Sequence, residues 1–208
     1  MRPPLVSVVT TVYDRTACLD RCLRAMRHQQ FDSWEQIVVS DHPPDDALDA
    51  IRRLVETAGS RVRHLDTGTR LNDWGMTPAH LGLMAAQGEY VCFLSDDNAF
   101  LPDHLGPLVA ILERDRRLGF VYSSCLYAGR TELRTCPPFP ARIDLGQPVF
   151  RTALLREIFP AGFPFREFAW DWRLVKTLLD RKVLWKHRDV TTFVFRLAAY
   201  PSIMERLA

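Results

Sequence analysis

The residues with the most chemical potential stand where an apolar run stops. In "FLSDDNAF" the segment Tyr90–Leu94 ends in Ser95, Asp96, Asp97 and Asn98. Adjacent carboxylates repel one another, so such a pair belongs where a cation, a proton or a ligand offsets the repulsion. Hard oxygen donors of this kind suit magnesium or manganese, which keep coordination positions open for phosphate oxygens and water. Two further polar clusters hold the same position relative to an apolar run: Thr11, Tyr13 and Arg15 follow Leu5–Thr10, and Asp41 follows "EQIVVS". Each also has a plainer reading. Asp-Asp-Asn can form a turn and a helix cap, Thr11 and Tyr13 can close a loop, and Asp41 before His42-Pro43 can start a turn.

The elements that must position these residues alternate. "LVSVVT", "EQIVVSD", "RVRHL", "EYVCFLS" and "GFVYSSCLY" are short runs of the strand type, and the first is apolar on both faces, as a strand covered by helices on both sides must be. Between them lie a helix from a Thr16 cap to about His28, a second over "DDALDAIRRLVETAG", a third with Thr77 as N-cap and Gly88 as terminator, and a fourth opened by Pro102 and Asp103. Repeated strand–helix–strand units predict an α/β fold with a mostly parallel sheet and right-handed crossovers. In such sheets ligands bind beyond the carboxyl ends of the strands, which is where the three polar clusters fall. After about Gly129 the chain becomes rich in proline and aromatic residues, predicting loops that wall a cleft. "WDWRLVKTLLD" is again helical, and "VTTFVFR" reads as a late strand.

Bulk properties narrow the class. A chain of 208 residues with 47% hydrophobic and 25% charged residues suits one soluble α/β domain. A formal net charge of +2, with Arg and Lys dispersed along the chain, offers no footprint for nucleic acid. Five cysteines without a C-x-x-C pair argue against a disulfide framework or zinc ribbon and fit a reducing compartment. No run has the length of a transmembrane segment, and "MRPPLVSVVTTVYDR" lacks the pattern of a secretory leader, so the expected location is the cytosol, with peripheral contact at the inner face of a membrane allowed.

Four stretches, in order, carry a resemblance to a known family. "VSVVTTVYDR", "QIVVSDHPPDD", "GMTPAHLGLMAAQGEYVCFLSDDN" and "EFAWDWRLVKTLL" resemble the opening strand, the second-strand signature, the helix with its Asp-x-Asp-type metal motif, and the acidic helix start of inverting GT-A glycosyltransferases of family 2. The resemblance implies a single GT-A domain over residues 1–208, with a nucleotide-sugar donor half over about 1–100 and an acceptor half over about 101–208. It implies that Thr11, Tyr13 and Asp41 hold the nucleoside, that Asp96 contacts the ribose or shares the metal, that Asp97 binds a divalent metal, manganese or magnesium, and that Asp171 is the catalytic base. The donor would be a nucleotide-diphospho-sugar, with UDP as the default nucleotide. The acceptor would be a saccharide, a lipid-linked or another small molecule, polysaccharide assembly the setting, and the chain would act alone or as a homodimer. Two positions depart from the family pattern: Trp170 stands where Glu often precedes the catalytic Asp, and Ala79 and His80 stand where Arg or Lys is often followed by Asn. Arg15, Arg70 and His80 are the candidate substitutes for the missing cation.

Sugar transfer with inversion needs a base, in-line access to the anomeric carbon and a counter-charge for the departing diphosphate. A single carboxylate at the anomeric centre favours inversion, since double displacement needs a nucleophile as well. The rival reading is a non-catalytic nucleotide-sugar binder or inactive partner subunit of the same fold, which Trp170 and Ala79 keep open. A phosphoacceptor domain is disfavoured by the absence of acids before Asp14, and a nucleotidyltransferase by the absence of a Gly-rich basic loop near the first strand. The aromatic segment from Phe163 to Trp172 could form a platform for a sugar ring or simply be core.

Overall fold

A computed structural model describes residues 3–127, 133–134, 138, 143–165, 169–199, 203 and 205. The β-branched runs read from the sequence form β1 (Val6–Val12), β2 (Trp34–Ser40), β3 (Val62–Asp66) and β4 (Tyr90–Ser95). Between them lie α1 (Thr16–Arg27), α2 (Asp45–Ala58) and α3 (Met76–Ala85). The four strands pair in parallel in the order β3–β2–β1–β4. The later elements are β5 (Ala99–Phe100), α4 (Leu105–Arg114), β6 (Leu118–Tyr127), β7 (Leu133–Arg134), β8 (Pro148–Arg151), α5 (Thr152–Ile158), α6 (Trp170–Asp180) and β9 (Leu184–Phe195). β8 joins β4 to β6 antiparallel to both, β9 runs parallel to β6, and β5 closes the order at β9.

Helices cover both faces, as the two-sided apolar strands require. One face packs α3, α5 and α6 against Val9, Ile37, Val39 and Phe93. The other packs α1 and α4 against Val8, Cys92 and Leu94, with α1 and α2 meeting over Val38. The approach of α3 to β1 depends on Gly82, where a Cβ would lie 2.3 Å from Val9 Cγ1.

Several boundaries differ from expectation for local reasons. The helix after β3 starts at Met76 with Gly75 as its cap, and the N–H of Thr77 is taken by the Asp73 carboxylate at 3.0 Å, so Asp73 does the work expected of Thr77. That helix stops at Ala85, short of Gly88. Arg15, not Thr16, is the cap residue of α1. The fourth helix begins at Leu105, because Ala99–Phe100 is drawn into the sheet by β9. β8 and α5 fall in the segment read as proline-rich loop; Pro148 is tolerated as the first residue of a strand, and seven helical residues are too few to display a periodicity between prolines. α6 spans the helix read from the sequence, whereas β9 starts well before "VTTFVFR" because its exposed, polar first half is held by β6. Among the described residues no helix is long and apolar enough to cross a membrane. Cys136, one of the five cysteines, and Glu167 and Phe168, which open "EFAWDWRLVKTLL", lie outside the described residues.

Candidate functional site

Register brings the three polar clusters together. Val6–Val12 pairs residue by residue with Trp34–Ser40 on one side, and on the other Thr11 sits opposite Ser95. Beyond the ladder the main chain continues the contact: Asp41 N–H donates to Val12 O at 3.0 Å and Asp96 N–H donates to Thr11 O at 3.3 Å. The ends of β1, β2 and β4 therefore form one rim.

A cavity of about 310 Å³ opens at that rim, lined by Thr11, Tyr13, Arg15, Asp41 and Asp96 together with Arg70, Asn72 and Trp74. All four residues assigned to the nucleotide from the sequence thus face one hollow. Asp41 is buried and its two carboxylate oxygens accept the main-chain N–H groups of Leu71 and Asn72, both at 2.9 Å. These bonds tie the loop after β3 to the end of β2. Arg70, on the same loop, places its guanidinium 4.1 Å from the centre of the Tyr13 ring.

The Asp96–Asp97 repulsion is offset within the protein by Arg15. Its Nε donates to Asp96 Oδ2 at 3.1 Å, its Nη2 to Asp96 Oδ1, and its Nη1 to Asp97 Oδ2 at 2.8 Å. The Asp96 side chain is 1% exposed, and that of Arg15 is 52% exposed. Burial pushes the Asp96 carboxyl up to about 6 against the pull of Arg15, and neighbouring Asp97 adds to the rise. Asn98, next in sequence, accepts the Arg196 N–H on its side-chain oxygen and donates its own N–H to Ser95 O, so the turn reading of this segment and its charged role coexist.

Among the described residues no three His, Cys, Asp or Glu side chains cluster as a self-contained metal site. The donor set nevertheless fits magnesium or manganese, which commonly bind through one or two carboxylates and take their other ligands from phosphates and water. Asp97 is the more accessible of the two acids, and the pair already gathers one cation.

Asp171 lies across the cleft. It lines a second cavity, of about 140 Å³, which shares Thr11, Trp74 and Ser95 with the first. The cap of α6 is Ala169, so Asp171 sits inside the first helical turn, where its carboxylate accepts the Trp172 N–H at 2.7 Å. A second acid that sequence reasoning missed, Asp144, lines the same cavity. It stands in the proline-rich stretch, where no periodicity marked it.

The departures from the family pattern also find their places. Ala79 is buried against the core. His80 donates from Nε2 to Phe159 O at 2.9 Å and meets the edge of Phe163, which commits it to packing. Of the three candidate cations, Arg70 and Arg15 line the cavity. Trp170 is 8% exposed, stacks on Phe163 at 5.5 Å, and donates its indole N–H to Trp74 O at 3.2 Å. The Phe163–Trp172 aromatics that the structure describes are core or packed against it; the exposed aromatic of the cleft is Trp74.

The model of the family described as Glycosyl transferase family 2 matches residues 7–160. Among curated proteins, the putative colanic acid biosynthesis glycosyl transferase WcaA of Escherichia coli K12 is 22% identical over 86% of this chain and 62% of its own length. The GalNAc(5)-diNAcBac-PP-undecaprenol beta-1,3-glucosyltransferase of Campylobacter jejuni is 27% identical over 59% of this chain and 38% of its own length. The chain thus spans about two fifths to three fifths of the curated relatives named here. Two solved structures share the fold: the mannosyltransferase PcManGT of Pyrobaculum calidifontis in complex with GDP-Man and Mn2+ (TM-score 0.74, 20% identity, 95% of this chain and 58% of that one) and S. aureus TarS 1–349 in complex with UDP-GlcNAc (TM-score 0.73, 17% identity, 91% of this chain and 58% of that one).

Proposed function

The chain belongs to glycosyl transferase family 2, and from that premise we propose that it transfers a sugar from a nucleotide diphosphate to an acceptor hydroxyl with inversion. The observation that carries the proposal is that two cavities share Thr11, Trp74 and Ser95 in their walls, one lined also by Tyr13, Asp41 and Asp96 and the other by Asp171. Residues up to about 100 supply the donor contacts, and the acceptor enters from the later half.

Thr11 and Tyr13 hold the nucleoside, with the Tyr13 ring against the base. Asp41 has both oxygens engaged by Leu71 and Asn72, and it contributes by fixing the loop that closes over the base while offering a remaining lone pair to a ring N–H. Arg70 and Arg15 place positive charge beside the diphosphate. Asp96 meets the ribose or would share a metal with Asp97. Asp97 would hold a divalent cation, which would supply counter-charge to a leaving diphosphate. Asp171, in the first turn of α6, takes the proton of the acceptor hydroxyl as it attacks the anomeric carbon. Proteins of the same fold bind GDP-Man and UDP-GlcNAc, which supports a nucleotide-diphospho-sugar as the donor, and UDP is the expected nucleotide.

Thermal-shift titration with UDP and GDP, with and without Mn2+, tests this reading. One nucleotide is expected to raise the midpoint in a metal-dependent way, and Asp97→Ala is expected to abolish the metal dependence. Asp171→Asn is expected to keep nucleotide binding and to lose about 10²–10⁴-fold in transfer. Donor binding with unaltered turnover in Asp171→Asn would favour another base or the non-catalytic alternative.

A further inference from the structure

The contact between Arg15 and the two acids joins a fixed framework to a side chain with room to leave it. Asp96 and Asp97 are held by their backbones: Asp96 N–H donates to Thr11 O at 3.3 Å, and Asp97 O accepts the Leu197 N–H at 2.8 Å. Arg15 is the cap residue of α1, and its carbonyl accepts the N–H groups of Cys18 and Leu19, both at 3.0 Å. Its side chain makes no capping bond to that helix. It reaches across the rim instead, where Nε and Nη2 take the two oxygens of Asp96 and Nη1 takes Oδ2 of Asp97.

Exposure is uneven across this contact. The Asp96 side chain is 1% exposed and that of Asp97 is 22% exposed, whereas the Arg15 side chain is 52% exposed and lines the larger cavity. The guanidinium therefore has a path from the acids into the hollow that does not disturb the core. A guanidinium and a dication would also draw on the same charge. With both acids ionised and Arg15 in place, the three side chains carry one net negative charge rather than two, and a second cation beside the guanidinium is repelled.

A phosphate offers the guanidinium a partner as good as a carboxylate, since the planar N–H fork matches either anion in a bidentate, charge-assisted pair. We propose that Arg15 is a latch on the acidic pair: it holds Asp96 and Asp97 until a nucleoside diphosphate enters the cavity, then passes to the phosphates and leaves the acids to a divalent cation. The latch rests on the donor reading above. It makes the diphosphate and the cation assist one another through Arg15, in addition to any direct contact between them, and by the same factor in both directions. Before the diphosphate arrives, the acids are kept from binding a cation alone.

The test measures Mn2+ binding near pH 8 from the paramagnetic resonance of the free ion, for the wild type, Arg15→Gln and Arg15→Lys. Each protein is titrated without nucleotide and again with saturating UDP or GDP, whichever the wild type binds. Without nucleotide, Arg15→Gln should bind Mn2+ about tenfold more tightly than the wild type. Arg15→Lys should fall between them, because a point charge cannot fork across both acids, and it carries the test if Arg15→Gln fails to fold. With saturating diphosphate the difference should narrow to about twofold, since the acids are then released in all three proteins. Variants that bind Mn2+ alone no more tightly than the wild type overturn the latch and make Arg15 a fixed part of the acidic pair. A tenfold difference that persists with diphosphate also overturns it, because the guanidinium then never leaves the acids. Both results leave the donor reading standing. If the wild type binds neither nucleotide, with or without Mn2+, the donor reading falls and the latch falls with it.

Discussion

Replacing Arg15 with Ala removes the cation that spans Asp96 and Asp97, and the cost should depend on pH in a defined direction. Three N–H groups meet two carboxylates, one of them 1% exposed. Removing one partner of a fully buried ion pair costs about 3–5 kcal/mol, and an exposed pair is worth about 0–1 kcal/mol. A half-exposed guanidinium on a buried carboxylate falls between these, so a loss of about 2 kcal/mol is expected near pH 8. The Asp96 carboxyl is pushed up to about 6 in the wild type, and losing Arg15 raises it further. Below that value Asp96 carries a proton in both proteins, the charged contact to it disappears from the wild type, and only the Asp97 contact is left to lose, worth about 0.5 kcal/mol. Folded-state values above the unfolded one mean that stability falls as pH rises through the window between them, and the variant, with the higher value, falls further. Urea unfolding followed by circular dichroism near pH 8 and near pH 5 measures both losses. With a slope of about 2 kcal/mol/M the midpoint gap should shrink from about 1 M to about 0.25 M. A gap that is constant, or larger at the acid end, would refute the assignment of Arg15 as the counter-charge and make its contribution one of packing.

Two further substitutions probe the frame around the site. Asp41→Asn leaves one acceptor oxygen for two N–H groups and turns an amide donor toward one of them, so stability should fall by about 1–3 kcal/mol and nucleotide binding should weaken with it. Thermal unfolding with and without UDP would detect both, and an unchanged midpoint would mean that the loop holds itself. Gly82→Ala places a methyl 2.3 Å from Val9 Cγ1, forcing α3 away from β1 at a cost of about 1–3 kcal/mol. Chemical denaturation reads that cost, and a neutral result would show that Val9 can turn aside.

Much of the rim was legible in one dimension because its residues follow directly on strands. A strand's carboxyl end is fixed by where its apolar run stops, and parallel pairing of adjacent strands then delivers Thr11, Asp41 and Asp96 to one rim without further information. α6 was legible for a similar reason: eleven residues with an apolar stripe are long enough to declare a period. β8, α5 and the first half of β9 were not, since a short strand opened by proline, a two-turn helix and a polar segment owe their structure to partners far along the chain.

The sequence by itself determined that carboxylates end the strands of an α/β sheet, because local periodicity and the chemistry of adjacent acids need no partner. Only the tertiary structure decided which charge answers them. Arg15 reaches Asp96 and Asp97 across 81 and 82 positions, a distance along the chain that no pattern encodes. It likewise decided that Trp74 stands in the cleft while Phe163 and Trp170 fill the core. An aromatic side chain is suited to either place, and which it takes is set by the backbone that carries it and by the neighbours that the fold brings up against it.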